Sequence, residues 1–273
     1  MKQFHLHLVS DSTGDTVHSM AKACLAQFEE IEPIEHSWML ARTMSEIDRI
    51  LKGIEGHPGL VLYTLVDDEL RHGLTEGCRR LRIVSISVLD PVITAIGDYL
   101  GLSSRGLPGR QHLLDTGYFN RVDAMSYALV HDDGQSVSGL NDADVVLVGV
   151  SRTSKTPTCL YLGNRGVKAG NVPIVPAIRL PEELFAANRP LIVGLTNDPD
   201  RLVQLRRSRL TLLQGGDGPS NYTDLEQVRN EVREARRLFV ERGWPVIDIT
   251  RRSIEETAAT ILQMLARRRG EDA

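Results

Sequence analysis

The chain has 273 residues, and its content of 41% hydrophobic and 25% charged residues excludes a disordered, fibrous or disulfide-built protein. With 32 basic and 36 acidic side chains the formal net charge is −4, so we expect neither nucleic acid nor an anionic membrane as a main partner. The sequence has no CxxC pair, no export signal and no apolar stretch long enough to cross a bilayer, and we therefore expect a cytoplasmic protein without a membrane segment.

Strand and helix patterns alternate along the first half of the chain. Residues 4–9 alternate as a strand does, residues 10–14 (SDSTG) are turn formers, and residues 17–28 carry apolar side chains at helical spacing. Further extended and helical segments follow in turn at residues 34–39, 44–54, 60–65, 69–81 and 83–88. Because alternating elements predict a parallel sheet covered by helices, we expect an N-terminal α/β domain over residues 1–140.

A second alternating series begins after a region without periodicity. Residues 101–117 collect glycine, serine and proline, which predicts a loop or linker, and a helix over residues 118–130 then ends in residues 131–134 (HDDG). We place the domain boundary near Asn141. The remaining strands are predicted at residues 145–149, 172–175, 191–195 and 246–249. This pattern predicts a second α/β domain over residues 141–273.

The segment 149–156 (GVSRTSKT) contains the parts of a phosphate-binding loop, or P-loop. It follows an apolar strand and opens a helix, Lys155 can reach terminal phosphates, and Thr156 is placed to ligate Mg²⁺. Ser154 stands where the usual pattern has glycine and Arg152 adds a charge, so a strand-to-helix turn with a fortuitous lysine is the alternative. We predict a P-loop kinase-like second domain. Its nucleotide-binding residues would be Gly149, Val150, Ser151, Arg152, Thr153, Ser154, Lys155 and Thr156.

Three carboxylates are candidate catalytic groups. Asp11 lies in the turn after the first strand, where ligands of parallel sheets gather, but the same turn could simply cap the following helix. Asp132 and Asp133 follow a helix and could orient a metal ion or take a proton from an attacking hydroxyl. Their alternative role is that of turn residues.

Two arginines and two histidines share faces of predicted elements. Arg206 and Arg209 are three residues apart on a helix and could clamp one anion together, although a solvated basic face is the alternative. His5 and His7 alternate on the first strand without a third metal ligand nearby in sequence, so we expect them to be structural.

The P-loop and several distant motifs resemble those of the pyruvate, phosphate dikinase regulatory proteins, which are relatives of the phosphoenolpyruvate synthase regulators. The resemblance spans nearly the whole chain. It rests on residues 149–162, which contain the loop, and on residues 10–14 (SDSTG), 131–134 (HDDG), 194–196 (GLT) and 253–257 (SIEET). Ser154 is more similar to the dikinase branch, because the synthase branch tends to have glycine there.

The resemblance implies an ADP-dependent serine/threonine protein kinase that is also a phosphate-dependent pyrophosphorylase. Such a protein phosphorylates a threonine of the dikinase with ADP as the donor, which inactivates the target, and removes that group with inorganic phosphate as co-substrate, releasing pyrophosphate. The target is recognised when its neighbouring catalytic histidine is phosphorylated. In this scheme Lys155 and an Mg²⁺ on Thr156 would neutralise developing charge, and Arg152 would stabilise the transition state.

Several choices stay open at this level. Asp132 or Asp133 is the first candidate for the group that orients the threonine or takes its proton, and Asp11 is the second. Regulation of the synthase by the same chemistry, a P-loop small-molecule kinase and a nucleotide-sensing protein without chemistry are the alternative functions. The oligomeric state is also open, with a homo-oligomer as one alternative.

Overall fold

The structure, a computed structural model, describes residues 1–108, 116–212 and 220–270. The chain divides into two units, Met1–Leu113 and Leu114–Ala273, and each has a parallel sheet of its own. None of the described helices is both long enough and apolar enough to cross a membrane.

The first unit alternates strands and helices along the chain, as its sequence predicts. Its elements are β1 (Lys2–Ser10), α1 (Asp15–Leu25), β2 (Ile31–Trp38), α2 (Met44–Gly56), β3 (Gly59–Thr64), α3 (Asp68–Arg80), β4 (Ser85–Ser87) and α4 (Asp90–Leu100). The four strands are parallel and lie in the order β2-β1-β3-β4. The predicted N-terminal α/β sheet is therefore confirmed.

The central strand β1 is buried on both faces. Leu6 and Leu8 pack with Val17 of α1, whereas Val9 lies in a separate cluster that contains Ile47 of α2. Successive side chains of a strand point to opposite faces, so the two clusters lie on opposite sides of the sheet. A near-continuous apolar run is what a parallel strand covered by helices on both faces requires.

His7 of β1 is buried and has a structural role, as the sequence predicts. Its Nδ1 accepts the indole N–H of Trp38 at 3.2 Å, so the other ring nitrogen, Nε2, donates to the carbonyl of His57 at 2.8 Å. Burial lowers the pKa of His7, which favours this neutral form. Within the described ranges, no group of three or more His, Cys, Asp or Glu side chains is arranged to hold a metal ion.

The second unit repeats the alternation around a second parallel sheet. It contains α5 (Thr116–Val130), β5 (Val145–Gly149), α6 (Lys155–Asn164), β6 (Ala169–Pro173), α7 (Glu182–Ala186), β7 (Leu191–Thr196), α8 (Pro199–Leu212), α9 (Leu225–Arg242), β8 (Val246–Asp248) and α10 (Ile254–Arg269). Short 3₁₀ turns lie at Val137–Asp142 and Ser220–Thr223. The strand order is β6-β5-β7-β8, with every neighbouring pair parallel.

Strand β5 is the centre of this unit, and every residue in it is buried. Leu147 packs with Leu162 of α6 on one face, and Val148 packs with Phe239 of α9 on the other. The chain leaves β5 toward β6 on one side and returns to β7 on the other side. Such a reversal opens a crevice at the carboxyl end of the central strand, where parallel sheets bind ligands. That end of β5 is Gly149.

The boundary between the units lies earlier than we predicted. The predicted position near Asn141 falls inside the second unit, because α5 belongs to that unit and packs on α6. The two helices approach so closely that a Cβ on Gly163 would lie 3.1 Å from the Cα of Met125. Helix α5 also contributes Ala128 to the core around β5. The aperiodic segment 101–117, part of which lies outside the described residues, was therefore the better boundary signal.

Candidate functional site

The predicted P-loop connects the buried end of β5 to the first turn of α6. Gly149 is required at the turn, since a Cβ there would lie 2.6 Å from the carbonyl oxygen of Leu195 and 2.8 Å from Thr153 Oγ1. The buried Thr153 hydroxyl donates to the carbonyl of Val150 at 2.9 Å. The loop therefore closes on itself at the amino terminus of α6, where the helix dipole and free N–H groups favour an anion.

Two residues of the loop adopt the left-handed backbone region that favours glycine. Arg152 has a φ of 71°, and Ser154, the last residue before α6, has a φ of 54° and a ψ of 24°. Ser154 occupies the position where the usual P-loop pattern has glycine, and it takes a conformation that glycine adopts at no steric cost. The serine therefore carries backbone strain that a glycine would avoid.

Lys155 is the buried cation of the loop, with 6% of its surface exposed. Its ammonium group donates to the carbonyl oxygens of Gly149 at 2.9 Å and Val150 at 3.0 Å. Burial lowers its pKa to about 8, and the nearby carboxylates of Asp133 and Asp132 oppose that shift. Because carbonyl groups rather than a carboxylate bind the ammonium, its charge remains available to an anionic ligand.

Asp132, Thr156 and Asn171 form a hydrogen-bonded group beside the loop. The Thr156 hydroxyl donates to Asp132 Oδ1 at 2.8 Å, and the Asn171 amide donates to the same carboxylate oxygen and, at 3.2 Å, to Thr156 Oγ1. The backbone N–H of Asn171 donates to the carbonyl of His131 at 3.0 Å, and its carbonyl accepts from Gly134 N–H at 2.9 Å. Strand β6 thus fixes the turn that carries Asp132.

Sequence reasoning missed Asn171, because it predicts that the strand starts at residue 172, whereas β6 spans Ala169–Pro173. The Asn171 side chain is buried, and within the described part of the chain its Oδ1 has no hydrogen-bond partner. Burying a side-chain amide in an apolar strand costs free energy unless its polar atoms form hydrogen bonds or bind a ligand. That polar residue between Gly170 and Val172 is the signal that could have revealed its role.

A cavity of about 890 Å³ lies over the loop, within the size range of small-molecule sites. Asp132 and Asp133 line it, together with part of α8. Gly149 and Val150 are not among the described residues that line it, and their carbonyls bind Lys155. The loop residues that line the cavity are Ser151, Arg152, Thr153, Ser154, Lys155 and Thr156. The structure thus brings the predicted loop and the predicted acidic pair to one place.

Asp11 lies in the first unit, directly after β1. Its Oδ2 accepts the backbone N–H of Val66 at 2.8 Å, and its carbonyl accepts from Arg42 Nε at 2.9 Å. Burial raises the pKa of its carboxyl group. These contacts join the end of β1 to the segments after β3 and after β2, which is a structural role within the first unit. A catalytic role for Asp11 stays a prediction.

Arg206 and Arg209 do not form the anion clamp that their spacing suggests. Arg206 has 1% of its surface exposed and forms an ion pair with Glu231 of α9, with 2.6 Å between Nη2 and Oε2. Arg209 is exposed and lines the cavity. Helix α9 covers the face of α8 that carries Arg206, so the alternative of a solvated basic face is also wrong for this residue.

The whole chain is similar to proteins of one family. A sequence model of the kinase/pyrophosphorylase family matches residues 6–262. A protein of Paramagnetospirillum magneticum is 54% identical over 267 residues, which cover 98% of this chain and 86% of the relative. Relatives in Rhodospirillum rubrum (52% identical, covering 97% of this chain and 96% of the relative) and Caulobacter vibrioides (53%, covering 98% and 85%) are equally similar. The names of all three describe pyruvate, phosphate dikinase regulatory proteins.

We expect the substitution Ser154→Gly to stabilise the protein. Glycine removes the steric cost of a left-handed residue but gives the unfolded chain more freedom, so the net gain in unfolding free energy should be about 0.5–1 kcal/mol. Urea unfolding of the full chain measures it. The control is Ser208→Gly within α8, where the same change should instead cost about 0.5–1 kcal/mol. An equal loss in both variants would contradict strain at Ser154.

Proposed function

The chain belongs to the kinase/pyrophosphorylase family, and from this premise we propose that it is a bifunctional regulator of a pyruvate, phosphate dikinase. In one direction it phosphorylates a threonine of the dikinase with ADP as the donor and inactivates it. In the other direction it removes that phosphate with inorganic phosphate, releases pyrophosphate and restores activity. The family description, which joins a kinase to a pyrophosphorylase, and the names of the similar proteins support this proposal.

The observation that carries the proposal is the buried Lys155 ammonium inside a loop that opens on a cavity. In the kinase direction the threonine oxygen bonds to the β-phosphorus of ADP, the bond from that phosphorus to the bridging oxygen breaks, and AMP leaves. The threonine proton passes to a carboxylate. Lys155 and the amino terminus of α6 stabilise the charge of the transferring group.

In the reverse direction an oxygen of inorganic phosphate attacks the phosphorus of the phosphothreonine. The bond between that phosphorus and the threonine oxygen breaks, pyrophosphate leaves, and a proton returns to the threonine. Arg152 and Arg209 both line the cavity and supply positive charge for a second phosphate group there. We therefore assign both reactions to this cavity.

Thr156 and Asp132 suit Mg²⁺ as a further component of the site. Both offer oxygen ligands, and Thr156 Oγ1 lies 2.8 Å from Asp132 Oδ1. Mg²⁺ is commonly held by one or two protein oxygens together with substrate phosphates. When bound with ADP, the ion supplies positive charge to the phosphate oxygens. Asn171 keeps the Asp132 carboxylate next to Thr156 by donating to both side chains.

The two adjacent carboxylates take different roles in this proposal. Asp132 is held by Thr156 and Asn171 and orients the metal side of the site. Asp133 lines the same cavity and has a left-handed backbone, with a φ of 49°. Asp133 is therefore the candidate that accepts the threonine proton.

The direct test is incubation of the full chain with β-labelled ADP and a histidine-phosphorylated dikinase. We expect the label on a threonine of the dikinase, and its release as labelled pyrophosphate after inorganic phosphate is added. Lys155→Ala should lose the transfer, because a neutral side chain cannot bind the transferring group. Lys168→Ala, which removes a partly exposed lysine paired with Asp123, should keep it.

Two parallel reactions complete the experiment: one replaces the dikinase with a histidine-phosphorylated synthase, and the other offers ATP with small-molecule acceptors. Two outcomes contradict the proposal. Labelling of a synthase in place of the dikinase would assign the chain to the other branch of regulators. Turnover of ATP with a small acceptor, while ADP is inert as a donor, would identify a small-molecule kinase instead.

We expect the affinity for ADP to fall as the pH rises above about 8, since burial lowers the pKa of Lys155 to about 8 and its ammonium then loses its proton. A bound diphosphate favours the charged form, so the pKa is higher in the complex. Between these two pKa values the dissociation constant should rise by up to about tenfold per pH unit. Calorimetric titration measures it, and Lys155→Arg, whose charge does not titrate in this range, is the control. A flat wild-type profile would contradict this role.

Asparagine substitutions should separate the two carboxylates. Asp132→Asn should raise the Mg²⁺ concentration needed for half-maximal rate by about tenfold or more, because it removes an anionic oxygen from the metal side. Asp133→Asn should lower kcat by about 10²–10⁴-fold with little change in the KM for ADP, as expected for loss of a base. Steady-state kinetics at varied Mg²⁺ measures both quantities. The reverse pattern would exchange the two assignments.

A further inference from the structure

Arg206 is an almost fully buried charge on α8, with 1% of its surface exposed. A buried guanidinium is costly unless it is paired and hydrogen-bonded. Glu231 of α9 supplies the pair, because Nη2 donates to its Oε2 at 2.6 Å and Nη1 to its Oε1 at 3.3 Å. This forked contact neutralises the arginine, so its charge does not serve a phosphate ligand.

The other hydrogen bonds of Arg206 go to backbone carbonyl groups. Nη1 donates to the carbonyl of Tyr222 at 3.1 Å, and Nη2 donates to the carbonyl of Ser151 in the P-loop at 3.4 Å. The Tyr222 ring centre lies 4.8 Å from the guanidinium carbon, and the Tyr222 hydroxyl lies 3.1 Å from Ser151 Oγ. Ser151 is therefore held at both its carbonyl and its hydroxyl.

Holding the Ser151 carbonyl affects the next amide of the loop. A trans peptide group is planar, with its C=O and N–H pointing in opposite directions. Ser151 and Arg152 line the cavity, whereas Arg206 is not among the described residues that line it. Because the Ser151 carbonyl points to Arg206 and so away from the cavity, the Arg152 N–H points toward the cavity. Arg152 has a φ of 71°, a conformation that persists only where neighbouring contacts support it.

We propose that Arg206, with Glu231 and Tyr222, is a positioning residue that holds the Arg152 amide ready for the β-phosphate of ADP. Within the described part of the chain, none of these three side chains lines the cavity. Arg206 acts through the Ser151 carbonyl and Tyr222 through the Ser151 hydroxyl, in contrast to Lys155, which lines the cavity itself. This role deepens the proposed function and rests on it, because it takes the P-loop as the nucleotide site.

The test compares the binding of ADP and AMP to the full chain by calorimetry. Lysine at position 206 keeps a positive charge near Glu231 but cannot bridge that carboxylate and two carbonyls at once. Arg206→Lys should therefore weaken ADP binding by about tenfold or more and AMP binding by less than about threefold, because AMP lacks the β-phosphate. Tyr222→Phe keeps the stacked ring but loses the hydroxyl contacts to Ser151 and to the Arg152 side chain, and should weaken ADP binding by about threefold.

A second readout uses the protein without nucleotide. The NMR order parameters of the backbone amides of residues 152–153 should be lower in Arg206→Lys and in Tyr222→Phe than in the wild type, because the loop loses contacts that hold it. The matched control is Arg207→Lys, the same change at an exposed position of α8, which should leave both readouts unchanged. Urea unfolding of each variant verifies that it remains folded.

Failure of this inference can be distinguished from failure of the proposed function. If the wild type does not bind ADP, the proposed function fails, and the order parameters of the free protein still decide whether Arg206 positions the loop. If the wild type binds ADP and both variants bind it equally well with unchanged order parameters, the inference is overturned. Equal weakening of ADP and AMP together with a lower unfolding midpoint would also overturn it, because it would indicate general destabilisation.

Discussion

An ammonium group buried at the carboxyl end of the central strand is the interaction on which the rest of the site depends. Lys155 binds the carbonyls of Gly149 and Val150, which are the last residue of β5 and the first of the loop. Neutral carbonyls only partly offset the cost of burying a charge, and this is why the pKa of Lys155 falls to about 8. An incoming anion relieves that cost. The fold thus places a positive charge without a carboxylate partner at the crevice that the strand order opens.

Among its described residues, the second unit has two buried cations, Lys155 and Arg206, whose partners differ. Arg206 forms an ion pair with the carboxylate of Glu231. Lys155 donates to carbonyl groups instead, and the nearby Asp132 carboxylate accepts from the Thr156 hydroxyl. A cation that is neutralised by a carboxylate can hold the backbone in place, but it attracts an anionic ligand only weakly. A cation bound only by carbonyls can hold the backbone and also attract an anionic ligand. This difference is why we propose that Arg206 supports the loop and that Lys155 binds its ligand.

Much of the fold and the loop could be predicted from the sequence, because both depend on local patterns. Alternation of strands and helices predicts the parallel sheets, and the glycine, lysine and threonine of the loop identify its position. Asn171 and Arg206 could not be placed in this way. The role of Asn171 depends on where β6 begins, and the burial of Arg206 depends on α9, which packs over it. Boundaries and contacts between distant segments have no local sequence pattern.

The two units share one strand order, yet only the second has a site of this kind within the described residues. In the first unit the corresponding position, after β1, carries Asp11, whose carboxylate accepts the N–H of Val66 beyond β3. A protein carboxylate therefore binds a backbone N–H at the crevice, where an anionic ligand would otherwise find a donor. In the second unit the position after β5 carries a loop closed on a lysine. In the first unit a protein carboxylate thus binds the donor at the crevice, whereas in the second unit the crevice keeps a positive charge. This difference in charge at the strand end, more than the topology, is why we propose the phosphate site in the second unit.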